Sequence, residues 1–168
     1  INSKLENFKF ESTNASCEDA LNIVNSTGTV ASINIKNSKH DGLDLDFSDI
    51  LIRKLNIIEA GNDCSDFSYG NYKLIDLSLK NCFDKAISIG EKSIFNGENV
   101  KAENSNIGLA AKDSATVNIN YLNSMNNEYC IASYRKKQEF RSPNINIEES
   151  NCSEGDIYNQ IQNLESKK

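Results

Sequence analysis

Apolar and polar residues alternate along this chain in short bursts that return at a fixed interval. Apolar–polar–apolar triplets occur at Phe8-Lys9-Phe10, Ile33-Asn34-Ile35, Leu55-Asn56-Ile57 and Leu77-Ser78-Leu79. They continue at Val100-Lys101-Ala102, Ile119-Asn120-Tyr121 and Ile145-Asn146-Ile147, with steps of 25, 22, 22, 23, 19 and 26 residues. A second ladder is more regular. Leu21, Leu43, Ser65, Ile87, Leu109 and Ile131 follow one another at intervals of 22. Alternation with period two predicts strands, and Asn or Ser after each triplet predicts turns, because Asn tolerates left-handed backbone angles. A period of 20 to 25 residues without helical spacing predicts a stacked β-solenoid. A leucine-rich repeat has the same period, but it needs a Leu-x-x-Leu-x-Leu-x-x-Asn pattern and a helical segment per repeat, and neither is present.

Alternation also assigns faces. In the second ladder Leu21, Leu43, Ser65, Ile87, Leu109 and Ile131 are expected to point inward, with Ile23, Leu45, Phe67, Ile89, Ala111 and Ser133 beside them. Ser65 and Ser133 then need partners, since a buried hydroxyl is costly unless bonded. The neighbouring column is small throughout (Ala20, Gly42, Cys64, Ala86, Gly108, Cys130), which fits a tight bend or a shallow groove.

With these repeats the chain resembles the right-handed parallel β-helix, or pectate-lyase-like, superfamily over residues 1–152, about seven coils of 22 residues. Asp63–Ser68, Asp84–Ser93, Lys112-Asp113-Ser114 and Tyr134–Phe140 resemble a pattern that recurs in uncharacterised bacterial β-helix proteins. Residues 153–168 are expected to form a C-terminal cap or tail. Ile157, Ile161 and Leu164 are spaced for a short amphipathic helix there. Ile1 opens the chain without Met or a secretion signal, which suggests a processed protein or a piece of a longer one with further domains.

Charge and composition narrow the functions. Against 18 Lys and Arg stand 24 Asp and Glu, a net of -6, which argues against a nucleic-acid binder. No apolar run is long enough to span a membrane. There are five cysteines. Cys64 and Cys130 share a column three coils apart, and Cys17, Cys82 and Cys152 share a turn region at similar separations, so no intrachain disulfide is expected. With His40 the only histidine and no Cys-x-x-Cys, a structural zinc site is not expected either.

The outward positions of the second ladder carry the candidate chemistry. One column reads Asn22, Asp44, Asp66, Ser88, Ala110, Ala132; the other reads Val24, Asp46, Ser68, Gly90, Lys112, Tyr134. Asp44 and Asp66 on adjacent coils would stand about 4.8 Å apart, with Asp46 nearby. Crowded carboxylates push one pKa up, and a raised acid beside an ionised partner is how glycosidases work. Pectin-hydrolysing relatives group Asp residues on neighbouring coils, so the resemblance implies the same use here. Asp44, Asp46 and Asp66 could equally hold calcium for a lyase, with Lys112 or Arg135 as base or carboxylate binder. Lys85, Glu91, Asp113, Tyr134 and Lys136 are candidate substrate contacts. Tyr69 and Tyr134 could stack on sugar rings, while His40-Asp41-Gly42 matches the Gly-His-Gly of pectin hydrolases only incompletely. Three readings remain open. They are a hydrolase or lyase acting on an extracellular or surface polysaccharide, a non-catalytic glycan-binding or adhesive module, and a structural spacer.

Overall fold

The computed structural model describes residues 3–153 and 156–159. These residues form fourteen strands and no helix. The strands are β1 (Ser3–Ala15), β2 (Asp19–Val24), β3 (Ser26–Ser38), β4 (Asp41–Asp46), β5 (Asp49–Ala60), β6 (Ser65–Ser68) and β7 (Asn71–Cys82). They continue with β8 (Lys85–Ile89), β9 (Ile94–Glu103), β10 (Ile107–Lys112), β11 (Thr116–Met125), β12 (Tyr129–Tyr134), β13 (Asn144–Ser153) and β14 (Asp156–Asn159). The odd strands stack into one seven-stranded sheet and the even strands into another, both in chain order. Every pairing is parallel. The protein is therefore a parallel β-solenoid of about seven coils, and the 22-residue step is its register: Leu43 pairs with Ser65, Ser65 with Ile87 and Ile87 with Leu109.

The long strands turn a corner midway. In β5 the side chains of Ile50 and Ile52 are buried, Arg53 and Lys54 are both exposed, and Leu55 and Ile57 are buried again. Two exposed positions in succession break the period of two and swing the chain around the core. Asn14, Asn37, Asn81, Asn104 and Asn126 close the next turn in left-handed conformation, with Glu59 at the same place in its coil. Their amides bond up the stack, Asn37 to Asn14 at 2.7 Å and Asn104 to Asn81 at 3.1 Å.

Phe67, Tyr72 and Phe95 fill the core where the two sheets face each other, with ring centroids 5.1 and 5.2 Å from Phe67. Buried Ser65 donates to Ala86 O at 3.2 Å and so satisfies its hydroxyl. The small-residue column lies at the start of the short strands, where the chain comes close to the long strands. A Cβ on Gly42 would sit 2.7 Å from Cys64 O and 2.8 Å from Ile57 Cγ2, so backbone occupies that space.

Two expectations are corrected. Cys64 bonds to Cys82 and Cys130 to Cys152, with Cα atoms 5.3 and 5.7 Å apart, while Cys17 is free and exposed. Comparing cysteines within one column missed pairs that cross the corner between neighbouring coils. Cys82 stacks directly above Ala60, a few residues before Cys64 in the coil beneath. Cys152 likewise stacks above Ser124, just before Cys130, because the last coil is longer than the others. Ile157, assigned to a C-terminal helix, lies in β14, paired with Ile131 of β12. Ile161 and Leu164 lie outside the described residues.

Candidate functional site

The short sheet presents the expected outward columns. Asn22, Asp44, Asp66, Ser88, Ala110 and Ala132 stand in register across β2 to β12. Asp44 is half-buried and accepts a hydrogen bond from Asn22 Nδ2 at 2.8 Å. Asp66, its partner one strand away, accepts from its neighbour Phe67 N at 2.9 Å and lies 3.8 Å from Lys112 Nζ. Burial pushes the Asp44 carboxyl up to about 7, and repulsion from Asp46, Asp66, Asp19 and Asp41 adds to it. Asp46 is raised as well, by burial first and then by Asp66 and Glu91. A carboxyl that holds its proton near neutral pH beside other carboxylates can donate it to a leaving oxygen.

Lys112 reaches this group from two coils away. Its stem crosses Gly90, where an added Cβ would meet Lys112 Cε at 2.7 Å. Its ammonium donates to Ser88 Oγ at 2.8 Å before approaching Asp66, so Ser88 points outward yet is fully buried. Glu91 is buried beside this stem. It accepts from Ser68 Oγ at 2.6 Å and from Lys137 Nζ at 2.8 Å. Burial alone would raise the Glu91 carboxyl, but these bonds and the Lys112 charge outweigh it and hold the group below its ordinary value.

Lys137 belongs to a strap, residues 135–143, that folds back down the stack. Asp113 anchors the strap. Its Oδ1 accepts from Lys136 N at 2.7 Å and Lys137 N at 2.8 Å. Further on, Ser114 N donates to Arg141 O at 2.7 Å, and Arg141 N to Ser114 Oγ at 2.7 Å. Phe140 tucks its ring against Tyr69, centroids 6.3 Å apart, with Lys92 Nζ 5.9 Å from its own centroid. This detour accounts for the 26-residue final step in the first ladder.

The turn after the short strands displays an aromatic pair. Phe47 and Tyr69 stack at 4.7 Å with planes 5° apart. They remain 56% and 39% exposed, and both hold left-handed backbone angles, φ 49° and 48°. Bulky residues take that region at a cost on the order of 1–3 kcal/mol. Hydrogen bonds from Phe47 N to Ser68 O and from Tyr69 N to Glu91 O hold them there. The pair follows directly on Asp46 and Ser68, so it borders the carboxylates.

The structure brings Asp44, Asp46, Asp66, Lys112 and Glu91 together. It places Lys85 elsewhere, in ion pairs with Asp63 (3.1 Å) and Asp84. Burial would lower the Lys85 ammonium, but the two carboxylates outweigh it and hold it above its ordinary value. Burial pushes Asp63 up to about 6 against the pull of Lys85. Asp113 is buried against the strap backbone. Tyr134 is half-buried on the last short strand but one, and Arg135 and Lys136 open the strap with exposed side chains. Several other carboxylates serve the stack itself: Asp41 Oδ1 accepts from Asp63 N at 2.9 Å, and Asp63 Oδ1 from Lys85 N at 3.0 Å. Phe140 and Lys137 were not among the candidates read from the sequence. The signal for them was the overlong last coil, which had to put its extra residues somewhere.

Among the described residues no three His, Cys, Asp or Glu side chains converge to hold a metal ion. No helix among the described residues is long and apolar enough to cross a membrane. In comparisons with known proteins, no family model, no curated protein and no solved structure matches the chain.

Proposed function

We propose that the protein is a carbohydrate-binding β-solenoid that takes an extracellular or surface polysaccharide on the outer face of its short sheet. The observation that carries this reading is the half-buried Asp44, held up to about 7, beside Asp66 and next to the exposed Phe47–Tyr69 stack. An aromatic ring supplies a platform for the apolar face of a sugar, and carboxylates accept its hydroxyls. The same group supports glycoside hydrolysis as the enzymatic form of this reading. Asp44 would protonate the leaving oxygen. Asp66 would act as the partner carboxylate, at a strand spacing of about 4.8 Å that suits retention of configuration. The two disulfides support an oxidising, extracellular setting for the chain.

A structural role is the second reading. It is favoured by the carboxylates of Asp41 and Asp63, which bond the backbone of the next coil. An oligosaccharide array, read by binding and by mass analysis of the bound glycan, separates these readings. Shortened product that disappears in Asp44→Asn establishes the hydrolase. Intact bound glycan establishes the binding module. Silence across neutral and acidic glycans leaves the spacer.

A further inference from the structure

At its far end the short-sheet face becomes a hollow. The outward column that carries Asp44 and Asp66 continues through Ser88, Ala110 and Ala132 to Tyr158 of β14. Ala132 points outward but is buried, and its short side chain leaves a low floor. Ile107, Tyr129, Tyr134 and Tyr158 wall it in, enclosing about 310 Å³ with Ala132. The rings of Tyr129 and Tyr158 lie 6.1 Å apart with planes at 76°, so two walls meet nearly at right angles. That volume is at the small end for ligand sites, which run from about 300 Å³, and suits a single ring.

The walls select a chemistry. Tyrosine offers an apolar ring and a hydroxyl at its rim, which matches a flat ring with an apolar face and polar edges. Charge narrows the choice. Lys85 pairs in register with Ile107 of the wall, and its ammonium is committed to Asp63 and Asp84. That ammonium is therefore already paired and is not held for the carboxylate of a uronic ring. Ala132 lies three strands beyond Asp66, about 14 Å along the stack by strand spacing. A linear glycan laid along the axis would reach both.

We propose that the Tyr129–Tyr134–Tyr158 hollow is a subsite for one uncharged pyranose ring, belonging to the same glycan chain that meets Asp44 and Asp66. This rests on the carbohydrate reading above and adds to it a second subsite and a substrate class, neutral rather than uronic. The chain has no Trp, so the emission of its six tyrosines can report binding directly.

The test titrates the full chain with trimers and hexamers of glucose, xylose and mannose, and with hexagalacturonate. Neutral hexamers of at least one sugar are expected to bind, and to bind more tightly than their trimers. Tyr158→Ala is expected to weaken hexamer binding about tenfold or more, down to the level of the trimer, with trimer binding unchanged. Ala132→Leu, which fills the hollow from its floor and keeps the tyrosines, should do the same, and it covers the case where Tyr158→Ala disturbs β14. Hexamer binding that survives both variants but is lost in Phe47→Ala would overturn the hollow and leave the carbohydrate reading intact. Preference for galacturonate would overturn the neutral class. No binding by any of these glycans would sink both the hollow and the reading beneath it.

Discussion

The two sheets share one core but treat their outer faces differently. On the long sheet the outward side chains are wet: in β7 and β9 exposed or half-buried positions alternate with buried ones, and Lys101, Asn99 and Lys80 reach into solvent. On the short sheet the outward side chains are exposed or half-buried in β2, β4 and β6 but covered in β8 and β10. Ser88, Ala110 and Lys112 are buried on what alternation makes the solvent side. The Lys112 stem lies over Gly90 and reaches Ser88, and the tyrosines of the last coils surround Ala132. Polar residues on a solenoid's outer face need no explanation when they are solvated. Charged groups that the fold itself buries there cost free energy, and a fold that keeps them is a place to look for function.

The largest expected effect tests the corner that joins the two sheets. Removing the Cys64–Cys82 bond in a Cys64→Ser, Cys82→Ser variant should cost about 3 kcal/mol in urea unfolding, since it closes a loop of ordinary length. A loss well under about 1 kcal/mol would mean that stacking alone holds the corner.

Next comes a matched pair of lysines, one on each sheet. Lys112→Met leaves Asp66 without its cation beneath a covered face and should destabilise by about 2 kcal/mol, below the full cost of breaking a buried pair because Asp66 is partly exposed. Lys101→Met on the wet long sheet should stay within about 0.5 kcal/mol. Equal effects in thermal unfolding would erase the contrast between the two faces.

The acidic end of the short sheet should show itself in pH dependence. The folded chain holds the Asp44 proton up to about 7, well above its ordinary 3.8, so the protonated form favours folding. That contribution is fully present below about pH 4 and is lost as pH rises through 7. Asp63, raised to about 6, has the same sign, whereas Glu91, held low, has the opposite sign and acts only at more acid pH. Asp44→Asn should therefore flatten the fall in stability between pH 5 and 7 and raise the unfolding midpoint at pH 8. An unchanged slope would show that Asp44 titrates normally.

The smallest effect belongs to the long sheet's turn. Glu59 holds φ 66° where the other coils place Asn. Glu59→Asn removes that strain and fills the gap between Asn37 and Asn81, and should add about 0.5–1 kcal/mol.

The sequence made the stack legible because a solenoid repeats one local rule. The 22-residue step gave the register, the inward columns and the meeting of Asp44 with Asp66. It failed wherever the chain left that rule. The disulfides join different columns of neighbouring coils, so a column-by-column comparison passed over Cys82 beside Cys64. Ile157 showed helical spacing with Ile161 and Leu164, but β12 offered it an open edge to pair with. The covered face was invisible for a similar reason. Alternation says which way Ser88 and Lys112 point, not that the Lys112 stem will fold back across Gly90 to Ser88. Tyr69 was legible as an outward ring, but its stacking on Phe47 depends on the left-handed backbone angles that both residues hold in their turns.

The most direct test of the short-sheet face is an amide shift map of the isotope-labelled protein titrated with mixed neutral and acidic oligosaccharides. Changes confined to β4, β6, β8, β10, β12 and residues 135–143 would bear out the face and its glycan. Changes that fall on the long sheet, or no changes with any oligosaccharide, would contradict it.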